Sequence, residues 1–122
     1  MNARRIWRAL PVLFLLSPLA CSSTSYVERI EIENPTQYDV LVAVEGNNDG
    51  RLQLGVAKRE AESVREQVVD MGDDWRFTFS YRGEEIGSTA VKRQDLERSS
   101  WRVVIPEEVG TRLREKGVQA SY

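Results

Sequence analysis

Histidine is absent from all 122 residues and cysteine occurs once. The first absence removes histidine triads, Cys–His dyads, HExxH zinc sites and imidazole pH switches. The second removes disulfides within the chain and cysteine-based zinc sites. Four prolines and eight glycines are too few for a collagen-like or low-complexity chain. A hydrophobic content of 41% beside 30% charged residues argues against bulk disorder. This length holds one domain, with or without a targeting segment, and not two separate cores. Ser-x-x-Lys, Gly-x-Ser-x-Gly and P-loop patterns are missing, so acyl and phosphoryl transfer have no support.

The sequence opens on a positive start, Arg4, Arg5 and Arg8, followed by an apolar stretch from Leu10 to Leu16 and a small or turn-forming end, Ser17-Pro18-Leu19-Ala20. That order reads as an export signal over residues 1–20. Ala9 to Ala20 is 12 residues and carries Pro11 and Pro18, whereas a membrane-spanning helix needs about 20 apolar residues. The lone cysteine stands directly after this segment, in Leu16-Ser17-Pro18-Leu19-Ala20-Cys21. There it resembles the lipobox of bacterial lipoproteins, with Ala20 as the small residue before the cut. The resemblance implies cleavage before Cys21 and a lipid on its thiol, which would anchor the protein to a membrane of the cell envelope. The alternative is an ordinary secretory signal, leaving a soluble secreted protein. Cys21 to Ser25 is small and polar and reads as a flexible tether.

Three of the 17 basic residues precede Cys21, which leaves 14 against 19 acids and a net charge of −5. An acidic chain with no Lys/Arg run longer than two has no electrostatic footprint for nucleic acid. Membrane attachment is therefore expected through the N-terminal lipid, with another envelope protein as the candidate partner.

Residues 26–118 are expected to form the domain, and 119–122 a tail. Ile30 and Ile32 alternate with Glu31 and Glu33 in a half-exposed strand that ends at Asn34-Pro35. Val40, Val42 and Val44 mark a strand apolar on both faces, hence central. Leu52, Leu54 and Val56 continue the even-numbered pattern. A three-residue loop, Asn48 to Gly50, would pair Val44 with Leu54 and Val42 with Val56. Residues 58–71 fit either a helix or a strand, and a short strand at 63–69 is preferred because the flanking strands would accept another partner. Trp75, Phe77, Phe79 and Tyr81 alternate with polar residues in a strand whose rings are read as core. Ile86 and Val91 disagree in parity, which predicts a bulge in a strand near 85–92. Trp101, Val103 and Ile105 give a last strand. Pro106-Glu107-Glu108 starts a helix anchored by Val109 and Leu113 and stopped by Gly117.

Six or seven short strands with turns about every ten residues predict an all-β, antiparallel, immunoglobulin-like sandwich with a short C-terminal helix. Over residues 29–105 the chain resembles small uncharacterised bacterial lipoproteins, through the Leu54-Gly55 pair and the late Trp101. That resemblance implies fold and address and no activity.

Candidate chemistry is thin. Glu45-Gly46-Asn47-Asn48-Asp49-Gly50 matches the first half of a calcium loop, but Val56 stands where the bidentate glutamate belongs. A hairpin turn explains the same residues. Asp70, Asp73 and Asp74 read as turn acids, and Glu84 and Glu85 as outward-facing acids, although a glycosidase would need two such groups held together. Glu66 and Glu45 are the acids nearest to concealment. Tyr38, Trp75 and Tyr81 are candidate sugar platforms if exposed. The expectation is a non-catalytic domain without cofactor or metal, in a binding or structural role. Its alternatives are a solute- or glycan-binding module and a small carboxylate-dependent hydrolase.

Overall fold

The computed structural model describes residues 25–47 and 50–120. The expected signal segment 1–20, Cys21, most of the tether and the end of the tail lie outside the described residues. The described chain is mostly strand: β1 (Tyr26–Asn34), β2 (Val40–Glu45), β3 (Arg51–Ala57), β4 (Ala61–Val69), β5 (Asp74–Tyr81), β6 (Glu84–Lys92), α1 (Arg93–Arg98), β7 (Arg102–Val104) and α2 (Glu107–Glu115). The strands form two sheets, one ordered β4-β1-β7 and the other β3-β2-β5-β6. One apolar core joins them, with Ile30, Ile32 and Val103 from the first sheet and Val40, Val42, Val44, Trp75, Phe77 and Phe79 from the second. The aromatic stripe is core as expected, Trp75, Phe77 and Phe79 being at most 1% exposed. β2 is central, lying between β3 and β5.

The ambiguous segment is a strand, as preferred, but it begins at Ala61 and runs beside the whole of β1, from Tyr26 opposite Val69 to Asn34 opposite Ala61. Pairing along nine residues outweighs the helical spacing of its alanines and valines, a local preference overridden by tertiary contact. Gln67 adopts a φ of 56°, and the burial pattern changes face there, so Val68 is buried while Val64 and Glu66 are exposed. The expectation that Glu66 shares a buried face is thereby corrected.

The β2–β3 hairpin also differs from its expected register. Glu45 lies opposite Arg51 and Val44 opposite Leu52, and a shift then places Val42 opposite Gly55. The loop is five residues long because β2 stops at a close approach: a Cβ on Gly46 would lie 2.1 Å from the Met71 carbonyl oxygen. In β3, Gly55 has a φ of 114°, which turns Leu54 inward and leaves Val56 44% exposed. Arg65 fills the space beside Gly55 and donates from Nε to the Leu54 carbonyl.

The β5–β6 hairpin closes through Arg82 and Gly83, both at positive φ (49° and 85°), with Tyr81 opposite Glu84. This is the two-residue turn whose twist matches that of the strands. The expected bulge in β6 is present at Ile86, where the register against Phe79 and Ser80 shifts. Two features were not expected. Residues 93–98 form a helix, α1, and β7 runs parallel to β1, with Glu31 opposite Arg102 and Glu33 opposite Val104. The long connection that a parallel pair requires is here the whole of β2 to β6 with α1, which lie between β1 and β7 in the chain, so the wholly antiparallel expectation fails at this pair. Trp101 lies just before β7. α2 follows its expected course, with Val109 and Leu113 buried and Gly117 at φ 82° after its end. Arg112 of α2 donates to the Ile86 carbonyl (2.6 Å), which satisfies an acceptor at the bulge on the edge of the second sheet.

Candidate functional site: a groove beside the first strand

A surface depression of about 620 Å³ lies beside the beginning of β1. One wall is β1 itself, from Tyr26 to Arg29 with Glu31; the other is Arg93 and Glu97 of α1 with Ser100 and Trp101. α1 forms because Lys92 to Arg98 are good helix formers with a single apolar anchor, Leu96, buried beneath them. Arg93–Glu97 and Asp95–Arg98 add pairs at helical spacing.

Arg93 is the hub of this end. Its guanidinium pairs with Asp70 and Glu97 and lies 5.3 Å from the Trp101 ring centre, a cation–π distance. Trp101 in turn meets the buried Trp75 edge-on at 5.4 Å. The β4–β5 loop is shaped to present Asp70: the Gly72 N–H donates to its carboxylate (2.9 Å), and Trp75 Nε1 donates to the Gly72 carbonyl (2.7 Å). The Asp70 N–H donates to the Ser25 carbonyl (2.9 Å), so the entering chain is fastened to the same loop. For Asp70, burial pushes its pKa up, but the Arg93 hydrogen bond, the Gly72 N–H and the Arg93 charge together hold the carboxyl below its ordinary range. Arg93 is held above its ordinary range, chiefly by the Asp70 hydrogen bond.

The residues singled out from sequence are scattered. Cys21, Asn48 and Asp49 lie outside the described residues. Glu45 pairs with Arg51 (3.4 Å) and Arg76 (3.3 Å). Asp70 faces Arg93, whereas Asp74 faces Lys92 and Asn47, so the turn acids do not converge. The Lys92 hydrogen bond holds Asp74 below its ordinary range. Glu84 pairs with Lys116 (2.7 Å), Glu85 with Arg76 (3.5 Å). Among the described residues no group of three His, Cys, Asp or Glu is placed to hold a metal ion, and no helix is long and apolar enough to cross a membrane. Tyr38 and Trp75 are buried and Tyr81 is partly buried against Tyr38. The aromatics at the groove are Tyr26, 55% exposed, and Trp101.

The sequence reading missed Arg93 altogether. Its signal was the charge pattern of residues 92–98, which has helical spacing but only one apolar residue. No protein-family model, curated protein or solved structure matches the chain.

Proposed function

We propose that this protein is a cell-envelope lipoprotein, exported by residues 1–20 and anchored through a lipid on Cys21, whose domain serves a binding or structural role without catalysis. The domain is read as an immunoglobulin-like sandwich over residues 26–118. Seven strands divided four and three between two sheets around one core support the sandwich; the strand order differs from the immunoglobulin one in that the first and fourth strands join the seventh rather than the second and fifth.

The observation that carries the non-catalytic reading is how the charged groups are used. Three carboxylates in or beside the groove hold guanidinium groups: Asp70 and Glu97 hold Arg93, and Glu31 holds Arg29 (3.2 Å) and Arg102 (3.6 Å). The pKa shifts at Asp70, Asp74, Lys92, Arg93 and Arg102 all run away from neutrality, opposite to what general acid–base catalysis at neutral pH asks for. A groove with two aromatic rings and paired charges suits recognition.

Three residues, Ser22 to Thr24, separate Cys21 from Ser25, a reach of at most about 14 Å over four chain steps, so a lipid on Cys21 would hold the groove end of the domain near the membrane. Fractionation of cells expressing Cys21→Ser tests the anchor. Release of the protein into the soluble fraction, or its accumulation as an uncleaved precursor, is expected. Unchanged membrane retention would refute it.

A further inference from the structure

β1 has two unlike edges. Along one, β4 accompanies it for its whole length. Along the other, β7 covers only Glu31 to Glu33, and no strand of the described residues lies beside Tyr26 to Ile30. From Glu31 onward the peptide groups on that second edge belong to odd-numbered residues: the Glu31 N–H donates to the Trp101 carbonyl (2.9 Å), and the Glu33 carbonyl accepts from Ile105 N–H (2.9 Å), whereas the Ser25 carbonyl accepts from Asp70 N–H on the β4 side, so the alternation changes between Ser25 and Glu31, where Val27 and Ile30 are both buried. Counted back from Glu31, on the β7 side of the change in alternation, the two-residue period turns the N–H and C=O of Arg29 the same way. They face the groove of about 620 Å³ already described.

The chain itself is turned away from this edge. Ser100 and Trp101, which precede β7, both adopt left-handed conformations, with φ of 58° and 60°. Such a conformation is costly for a bulky residue, and here it diverts the chain from the line of β7 into α1. The result is five residues of strand edge, about 16 Å long, recessed between a sheet and a helix. Exposed strand edges are ordinarily blunted or covered, as α2 does beside β6.

We infer that the open edge of β1 from Tyr26 to Ile30 takes up an extended peptide segment of another protein as an added strand in the groove. Main-chain hydrogen bonds at Arg29 supply affinity, and side chains at alternate positions supply selectivity. The groove's charges specify the occupant. Glu31 and Glu97 already hold guanidinium groups, whereas Glu28 has no ion-pair partner among the described residues. A lysine or arginine of the incoming strand pairs with Glu28, and an apolar residue rests on Tyr26 and Trp101. This inference rests on the binding reading above and names the class of partner.

The test uses the full chain in non-ionic detergent, with amide hydrogen exchange followed residue by residue by nuclear magnetic resonance. The probe is a pool of acetylated, amidated hexapeptides with lysine fixed at the third position and Val, Thr, Ser or Phe elsewhere. At saturation the pool is expected to slow exchange of the Arg29 amide at least tenfold. The same pool N-methylated along its backbone is expected to leave the rate unchanged, and Glu28→Lys to weaken the effect of the original pool at least fivefold. No slowing with any pool overturns the proposal. So does an Arg29 amide protected before peptide is added, whether in proportion to protein concentration, which means a second copy occupies the edge, or independently of it, which means the chain's own ends do. Detergent solution removes any dependence on anchoring, so failure here with normal behaviour of Cys21→Ser in cells would reject strand addition and leave the lipoprotein reading standing.

Discussion

At one end of the molecule Asn34 is fully buried and uses every hydrogen-bonding position it has. Its amide nitrogen donates to the carbonyls of Tyr38 (2.7 Å) and Ala57 (2.9 Å), and its oxygen accepts from the N–H (2.9 Å) and hydroxyl (2.7 Å) of Thr36. Gly110 of α2 packs on Thr36, and the Tyr38 hydroxyl donates to Val118 (2.8 Å). At the other end Arg93 and Asp70, with side chains 30% and 18% exposed, hold Ser25, the β4–β5 loop and α1 around an open groove. A neutral, satisfied network closes the first end. Partly hydrated charges hold the second, and their contribution must follow pH and salt. The end that is closed has nothing left to bind with, and the end that is open keeps both a strand edge and charged groups within reach of solvent.

Three substitutions sharpen or break this contrast. Asn34→Ala is expected to have the largest effect, because it removes four buried hydrogen bonds at once, those from Asn34 to the Tyr38 and Ala57 carbonyls and those it accepts from the Thr36 N–H and hydroxyl, and leaves the Tyr38 carbonyl only the longer bond from the Thr36 hydroxyl (3.2 Å). A loss of about 3 kcal/mol or more is expected from the cost of unsatisfied buried groups. Urea denaturation at low and high salt should give the same loss, and a salt-dependent value would show that the network is not the neutral one described.

Asp70→Asn is expected to cost about 1 kcal/mol at pH 7, in keeping with a partly exposed ion pair, and less at high salt. Its pH dependence is more telling. The Asp70 carboxyl is held below its ordinary range in the folded protein, so its contribution is present above the unfolded value, near about pH 4, and is lost as pH falls through the lower folded value. Stability of the natural protein should therefore decline more steeply below about pH 4 than that of Asp70→Asn, and the two curves should converge in strong acid. Parallel curves would remove Asp70 from the acid response.

The smallest effect is expected for Lys92→Ala. Its partner Asp74 is exposed, and the pair lies on the surface beside the groove. Surface pairs of this kind contribute little to stability, so its unfolding midpoint should match that of the natural protein within error. A loss as large as that of Asp70→Asn would show that charge at this end acts as a network rather than through Arg93 alone.

Much of the fold was legible in the residues. The valines of β2, the alternating rings of β5, the parity break that marks the bulge at Ile86, and the Pro106-to-Gly117 signals of α2 all carry local chemistry that tertiary packing left intact. The β2–β3 register was misread because its cause is remote: Gly46 stops the strand against Met71, and Gly55 makes room for Arg65. α1 escaped notice because a six-residue helix with one apolar anchor shows almost no hydrophobic period. The groove was invisible for the same reason, since its walls come from residues 26–31 and 93–101, which nothing in the sequence joins.

Residue type and near-neighbour spacing were enough to establish the absence of imidazole and multi-cysteine chemistry, an acidic domain, strands where apolar residues alternate, and rings in the core. Packing of the whole chain decided that β7 lies parallel to β1, that it stops after three residues, and that Arg93 meets Asp70 and Trp101. Alternation fixes which face of a strand is buried, because it depends on one chain and one period. Which strand occupies an edge, and how much of it, depends on the competition of distant segments for the same peptide groups, and that competition ends only when the last of them has found its place.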